Sequence, residues 1–283
     1  LGWILIRPLA LRVAMSAGSL ARTFAGLLPS RLATLVRMSP GIVGGPSPNT
    51  TVGSHLPEGK QRMRVALLTG CVQAVTGTEI HDATVRLLRR HGCEVVVAEG
   101  AGCCGALNHH LGDEGAALRS AGRTLSAWWR EIQGDGLDAI VINASGCGSV
   151  IKDYPYLFRN QPEFQEAAAA VADRAVDVSE LLVRLGLKSA RTRAIVVAYH
   201  DACSLMNGQK ITEAPRQLLA DTGFDVRSPG EGHLCCGSAG TYNMLQPKIA
   251  AELGARKAAN LERVGPDVIA AGNLGCIVQI RQH

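Results

Sequence analysis

Beyond residue 62 the chain alternates short apolar runs with longer stretches in which apolar residues recur every three or four positions. That alternation is the signature of strands joined by helices. "RVALLTG" (64–70) predicts a strand and "EIHDATVRLLRRHG" (79–92) a helix. "CEVVVAE" (93–99) is a second strand, "DEGAALRSAGRTLSAWWREIQ" (113–133) a long helix, and "LDAIVINA" (137–144) a third strand. "AAAAVADRAVDVSELLVRLGL" (167–187) reads as one helix leading into the second half.

The plan then repeats. "RAIVVAY" (193–199) is a strand, "APRQLLADTG" (214–223) a helix and "FDVRSP" (224–229) a short strand. "QPKIAAELGARKAANLERVG" (246–265) is a helix and "PDVIAAG" (266–272) a strand. The prediction is an α/β fold of two tandem βαβαβ, Rossmann-like repeats with parallel sheets, because helical crossovers join parallel strands. A Gly-, Pro-, Ser- and Thr-rich stretch over 38–62 has linker composition. The expected division is a helical segment plus linker over 1–62, a first domain over 63–188 and a second over 189–283.

The two halves are copies. Cys71, Gly100, Cys103, Cys104 and Gly105 recur 132 residues later as Cys203, Gly232, Cys235, Cys236 and Gly237. Asp138, Ile140, Gly146 and Cys147 recur 129 residues later as Asp267, Ile269, Gly275 and Cys276. Each half therefore reads C-x31-CCG-x(n)-C, with n of 41 and then 38, and chance does not readily repeat a 31-residue gap before CCG.

Composition bounds what these residues can serve. With 283 residues and 47% apolar content, two ordinary cores can form. The net charge of +5 is not gathered into any Lys/Arg tract and only 4% of residues are aromatic, so the composition points away from nucleic acid as a partner. Nine cysteines, an odd number in a long aliphatic chain, do not resemble a secreted disulfide scaffold. Adjacent cysteines bridge each other poorly. Reduced thiols in a cytoplasmic protein are the better reading, with metal as their leading use.

Each repeated cysteine follows a predicted strand, and in an open parallel sheet the loops after the strands converge at one edge. Cys71, Cys103, Cys104 and Cys147 can thus form one site, and Cys203, Cys235, Cys236 and Cys276 another. Four thiolates admit iron–sulfur or zinc. Zinc sites usually carry short C-x-x-C pairs, and this chain has none. Adjacent ligands suit a bulkier polynuclear cluster, so iron–sulfur is the favoured reading.

Other candidates fare less well. Gly100–Gly105 spells GxGxxG, but the element after it is a helix and the second copy has Leu234 in place of Gly102. The duplication kept the thiols and lost the nucleotide pattern. Cys93 aligns with Phe224, which marks it as a packing residue. His109 and His110 align with Thr241 and Tyr242, which argues against ligation, and Trp128-Trp129 reads as core. His200 and His233 lie close to cysteines and are candidates for hydrogen bonds to metal-bound sulfur, with ordinary loop roles as the alternative.

The segment "LGWILIRPLALRVAMSAGSLARTF" is broken by Arg7, Pro8 and Arg12 too early to span a bilayer. It reads as an amphipathic segment resting on another domain or on a membrane surface. The missing initiator Met and the ending "CIVQIRQH" suggest a fragment.

"TGCVQ" (69–73), "NASGCGSVIKDY" (143–154), "YHDACSLMNGQKI" (199–211), "HLCCGSAGTYN" (233–243) and "GNLGCIVQI" (272–280) resemble the cysteine-rich CCG-domain family. That family includes the cysteine-rich component of heterodisulfide reductase and the iron–sulfur subunits of anaerobic glycerol-3-phosphate dehydrogenase and glycolate oxidase (glycolate dehydrogenase), the last being the nearest in look. The resemblance implies an iron–sulfur electron-transfer subunit, [4Fe–4S] being the favoured cluster, in a complex oxidising glycolate to glyoxylate. FAD is then expected on partner glycolate oxidase subunits rather than on this chain, with a quinone at the membrane or another acceptor taking the electrons. It places the chain in the cytoplasm, with peripheral contact at the inner face of a bacterial membrane. Alternatives are a lactate or glycerol-3-phosphate dehydrogenase subunit, a heterodisulfide-type thiol enzyme, and a structural zinc or docking scaffold. Many relatives end each motif in C-x-x-C, where this chain has Ala144 and Asn273, which counts against a five-cysteine non-cubane cluster. Intact relatives also carry an N-terminal ferredoxin-like domain, so the expectation is that residue 1 lies downstream of one and that a segment after Cys276 is lost.

Overall fold

The computed structural model describes residues 2–29, 36, 39, 45, 47–187 and 195–283. These residues divide into two compact units. The first is built mainly on 47–143 and 147–181, the second on 195–283, with residues 144–146 counted in the second.

The first unit contains a five-stranded sheet. Its strands are β1 (Gly53–His55), β2 (Met63–Leu67), β3 (Cys93–Val97), β4 (Ala139–Ile142) and β5 (Ala175–Asp177), in the order β1-β3-β2-β4-β5. β2 pairs in parallel with both β3 and β4, through Val65↔Val95 and Val65↔Ala139. Every residue of β4 is buried, which is why it reads as an unbroken apolar run instead of an alternation. Helix α1 (Pro8–Ala21) belongs to the N-terminal segment, α2 (Thr78–Arg90) follows β2, and α3 (Ala106–His110) and α4 (Glu114–Gln133) follow β3. Asp113 starts α4 by accepting the Ala116 amide at 3.0 Å, the usual role of a short acidic side chain at a helix N-terminus. Trp128 is fully buried among Leu125, Ile140, Ile142, Ile151, Tyr154 and Phe158, and Trp129 packs against the same cluster. The two tryptophans are core, as their helical position predicts.

Two expectations need correction. Residues 167–187 are not one helix. They form α6 (Gln165–Arg174, beginning just upstream), then β5, then α7 (Val178–Leu185), once α5 (Ser145–Lys152) has followed β4. β5 pairs in parallel with β4 through Val141↔Val176. Its three residues are all buried, so no periodicity distinguishes them from a buried helical turn. A capping box marks the break. The Asp177 carboxylate accepts from the Ser179 amide at 2.9 Å, and the Asp177 amide donates to Glu180 at 3.2 Å. Secondly, β1 lies within the stretch read as linker and pairs antiparallel with β3, so the first sheet is parallel only in its other four strands. The start of that linker lies largely outside the described residues.

The second unit holds a parallel sheet of three strands, β6 (Val196–His200), β7 (Asp225–Arg227) and β8 (Val268–Ala271), with β6 in the middle. Residues 193 and 194 of the predicted β6 fall outside the described residues. Helices α8 (Glu213–Asp221), α9 (Pro247–Glu262) and α10 (Leu274–Ile280) complete it. Ala198, Ala202, Leu205, Leu261 and Ile280 form its core together with Cys236 and Cys276. No helix among the described residues is long and apolar enough to cross a membrane.

Candidate metal centres

In the first unit four cysteines come from three loops at the carboxyl ends of adjacent parallel strands. Cys71 follows β2, Cys103 and Cys104 lie between β3 and α3, and Cys147 sits in the first turns of α5 after β4. Their side chains meet: the Cys71 thiol hydrogen-bonds Cys103, and Cys104 hydrogen-bonds Cys147. Cys71, Cys103 and Cys104 are buried and Cys147 is half-buried.

The second unit repeats this. Cys203 follows β6, Cys235 and Cys236 lie after β7, and Cys276 sits in α10 after β8. The Cys235 sulfur accepts from both Cys203 and Cys236, and Cys236 also contacts Cys276. Cys236 and Cys276 are buried, Cys235 is half-buried and Cys203 is exposed.

The glycine of CCG has a physical cause in both copies. Gly105 and Gly237 have φ of 89° and 90°, a left-handed conformation that other residues resist. A Cβ on Gly105 would lie 2.8 Å from the Ala117 carbonyl oxygen, and one on Gly237 2.5 Å from that of Ala250. The turn so formed aims each glycine amide at the first thiol of the pair, Gly105 at Cys103 Sγ (3.4 Å) and Gly237 at Cys235 Sγ (3.3 Å). A Cβ on Gly102 would meet nothing within 4 Å, so that glycine is not required by its surroundings.

The thiols in contact have divergent acidities. Cys103 is held down at about 7, chiefly by its hydrogen bond with Cys71, while Cys71 is pushed well up by the same bond and by burial. Cys104 is pushed up by its contact with Cys147 and by burial. In the second unit Cys235 is driven far down by Cys203 and Cys236, and both of those are driven up. Cys276 is held at about 6 by Cys236 and, against burial, by His200. One sulfur in the first set, Cys103, and two in the second, Cys235 and Cys276, give up a proton readily while their neighbours keep theirs. A metal ion replaces those shared protons and takes the sulfurs as thiolates. All nine cysteines are free thiols. Converging thiols and an amide N–H aimed at sulfur are the donor set an iron–sulfur cluster uses, so the residues present fit that group.

Several supporting residues escape sequence reasoning. Thr124 of α4 accepts the Gly102 amide at 3.1 Å and donates to the Cys103 carbonyl at 3.0 Å. Tyr154 donates to the Cys104 carbonyl at 3.1 Å. In the second unit Lys257 of α9, fully buried, donates to the carbonyls of Glu231 (2.8 Å) and Gly232 (3.3 Å). Burial lowers its ammonium's pKa, and the nearby Cys236 partly offsets this. Matching Ala117 with Ala250, the carbonyls under the two glycines, places Thr124 and Lys257 at the same point of the two helices. A buried cluster in the first unit links the loops of Cys71 and Cys147. Gln73 donates to Asn143 at 2.7 Å, Asn143 donates to Thr84 (2.9 Å) and to His81 Nδ1 (3.3 Å), and His81 Nε2 donates to the Thr69 carbonyl (2.9 Å). The second copy has Leu205 and Gly272 in place of Gln73 and Asn143, and a Cβ added to Gly272 would lie 3.3 Å from the Leu205 side chain.

The remaining predicted positions separate cleanly. Cys93 lies buried in β3, apart from the thiol cluster, with its thiol pushed up to about 11 by burial. His109 and His110 are exposed at the end of α3, and His233 is exposed beside the second CCG turn. His200 is buried, within 4.8 Å of the Cys236 and Cys276 sulfurs.

Comparison with known proteins agrees with this geometry. The profile of the cysteine-rich domain (CCG) matches residues 65–152 and 197–281, one match per copy. The chain is 36% identical over 221 residues to the glycolate oxidase iron-sulfur subunit of Escherichia coli (strain K12), covering 78% of this chain and 54% of that protein. It is 30% identical over 264 residues to the "Probable glycolate oxidase iron-sulfur subunit" of Bacillus subtilis (strain 168), covering 90% and 57%. Lactate utilization protein A of Bacillus licheniformis is 28% identical over 222 residues, covering 77% of this chain and 90% of that protein. The chain spans about half the length of the two glycolate oxidase relatives. With both copies matched and each bearing the same four-cysteine constellation, the chain belongs to the cysteine-rich domain (CCG) family.

Proposed function

We propose that this chain is the iron–sulfur, electron-transferring subunit of a complex that oxidises glycolate to glyoxylate. The reaction releases two electrons and two protons. In this reading a flavin on partner subunits takes them from the substrate, and this chain relays the electrons singly toward a quinone or another acceptor. The observation that carries it is the twofold recurrence of paired thiols at a CCG turn, Cys71 with Cys103 and Cys104 with Cys147 in one copy, Cys203 with Cys235 and Cys236 with Cys276 in the other. The relatives named as glycolate oxidase iron-sulfur subunits support the substrate.

Cys71, Cys103, Cys104 and Cys147 would hold one cluster, and Cys203, Cys235, Cys236 and Cys276 the other, within domains 63–188 and 189–283. An iron–sulfur cluster, when bound, supplies one-electron storage at a potential set by its ligands and by hydrogen bonds to its sulfurs. The protein's own part is positional. Gly105 and Gly237 point amides at sulfur, Thr124 and Lys257 brace the turns, and buried side chains keep water from the inner thiols. [4Fe–4S] is the favoured cluster, and the cytoplasmic face of a bacterial membrane the favoured location.

A lactate-oxidising complex is the second reading, favoured by one observation: lactate utilization protein A is matched over 90% of its length. A heterodisulfide-type thiol chemistry is disfavoured by Ala144 and Asn273 at the places of a fifth thiol, since Asn273 instead caps α10 through the Gly275 amide at 2.9 Å. The test is electron paramagnetic resonance on the anaerobically assembled complex with its flavin-bearing subunits, offered glycolate, lactate or glycerol 3-phosphate. Glycolate is expected to produce the signals of reduced iron–sulfur clusters. Reduction by lactate alone would establish the second reading, and a zinc-loaded, iron-free chain would overturn both.

A further inference from the structure

The two thiol clusters are duplicates, and one difference between their walls replaces an apolar side chain with a potential metal ligand. The first unit has Leu68 where the second has His200, 132 residues on. Leu68 is an ordinary core residue, 2% exposed. His200 is as deeply buried, 1% exposed, yet apart from the neighbouring Cys276 thiol its ring nitrogens have no hydrogen-bond partner among the described residues. Leaving a buried polar atom unpaired costs about 1–3 kcal/mol. No backbone or oxygen partner satisfies the imidazole. What it faces is sulfur: a ring nitrogen, Cys236 Sγ and Cys276 Sγ all lie within 4.8 Å of one another. Two metal–ligand bonds of about 2.0–2.3 Å reach across separations of that order. Meanwhile Cys203 is the exposed member of the four-thiol set.

We propose that His200 is a direct nitrogen ligand of the second metal centre, which makes that centre a mixed histidine–cysteine site beside an all-cysteine first centre. The inference rests on the iron–sulfur reading of the thiol clusters. A neutral imidazole brings no negative charge where a thiolate brings one, so the second centre is easier to reduce than the first. Replacing thiolates by imidazoles is known to raise iron–sulfur potentials in this direction. Two centres of unequal potential give the chain a downhill order, from the first to the second.

The test is pulsed electron paramagnetic resonance on the reduced full chain, made with natural-abundance and with 15N-labelled histidine. One of its two centres should show a strong nitrogen coupling that changes to the 15N pattern on labelling. His200→Leu, which installs the residue of the first copy, should abolish that coupling and leave the first centre's signal unchanged. His200→Cys should abolish it too and shift the second centre to lower potential. Iron in both centres with no histidine coupling in the unsubstituted protein would overturn the inference while the iron–sulfur reading stands. A second unit that holds no iron at all would overturn both.

Discussion

The buried ammonium of Lys257 donates to the carbonyl oxygen of Glu231 at 2.8 Å, on the turn that leads into Cys235 and Cys236. A lysine is rarely placed in a core without such partners, because its charge is costly to desolvate. Here it satisfies two carbonyls of a turn whose thiols carry negative charge once deprotonated. Lys257→Met keeps the volume but removes both hydrogen bonds and the charge. The expected result is a loss of about 1–3 kcal/mol of stability in the second unit. Iron should fall in that centre, with the first centre intact. Denaturation midpoints and iron content measure the two effects.

Glycine substitutions separate required from incidental positions. Gly105→Ala and Gly237→Ala place a Cβ against the Ala117 and Ala250 carbonyls on a left-handed backbone. Each should cost at least about 1–3 kcal/mol and empty its own centre. Gly102→Ala, with open space around its Cβ, should leave melting temperature and iron unchanged. Parallel thermal melts of the three variants decide the matter.

Cys93 provides a control among the nine thiols. It is fully buried in β3 and its thiol is pushed up to about 11 by burial. Cys93→Ala should keep the full iron complement and lose only about 1 kcal/mol for the small cavity. In the folded protein Cys93 should resist alkylation at pH 8, as read by peptide mass mapping.

Acid should loosen the first unit through His81. Burial lowers its pKa below the ordinary 6.5, so the folded protein refuses a proton that the unfolded chain accepts. Its contribution is therefore complete above about pH 6.5 and is lost progressively as the pH falls below that value. The Thr69–His81–Asn143–Gln73 chain of hydrogen bonds should fail with it. His81→Gln should flatten the fall in melting temperature between pH 7.5 and 5.5, as followed by calorimetry.

The candidate ligand positions stand out in the sequence because duplication preserves spacing. A 31-residue gap before CCG, seen twice, singles out eight cysteines and sets Cys93 aside through its partner Phe224. The strands and helices around them follow from apolar periodicity, and β4 and α4 match their predicted spans closely. Thr124 and Lys257 stayed hidden because the offset between the copies changes within the segment joining the CCG turn to its helix, and because their chemistries differ. β5 stayed hidden because three buried residues carry no period, although the Asp177–Glu180 capping box records the break. The antiparallel β1 has Gly53, Ser54 and His55, a composition that only pairing with β3 turns into a strand. His200 was visible as a histidine near cysteines. Its burial and its lack of any other partner are properties of the folded chain.

The central claim is that each copy holds its own iron–sulfur centre. Iron and acid-labile sulfide should be determined for the anaerobically purified chain and for two variants, Cys103→Ala with Cys104→Ala and Cys235→Ala with Cys236→Ala. The account predicts iron and sulfide together in the unsubstituted protein, loss of one centre's share in each variant, and loss of both when the variants are combined. Zinc in place of iron, or full iron retained in either variant, would contradict it.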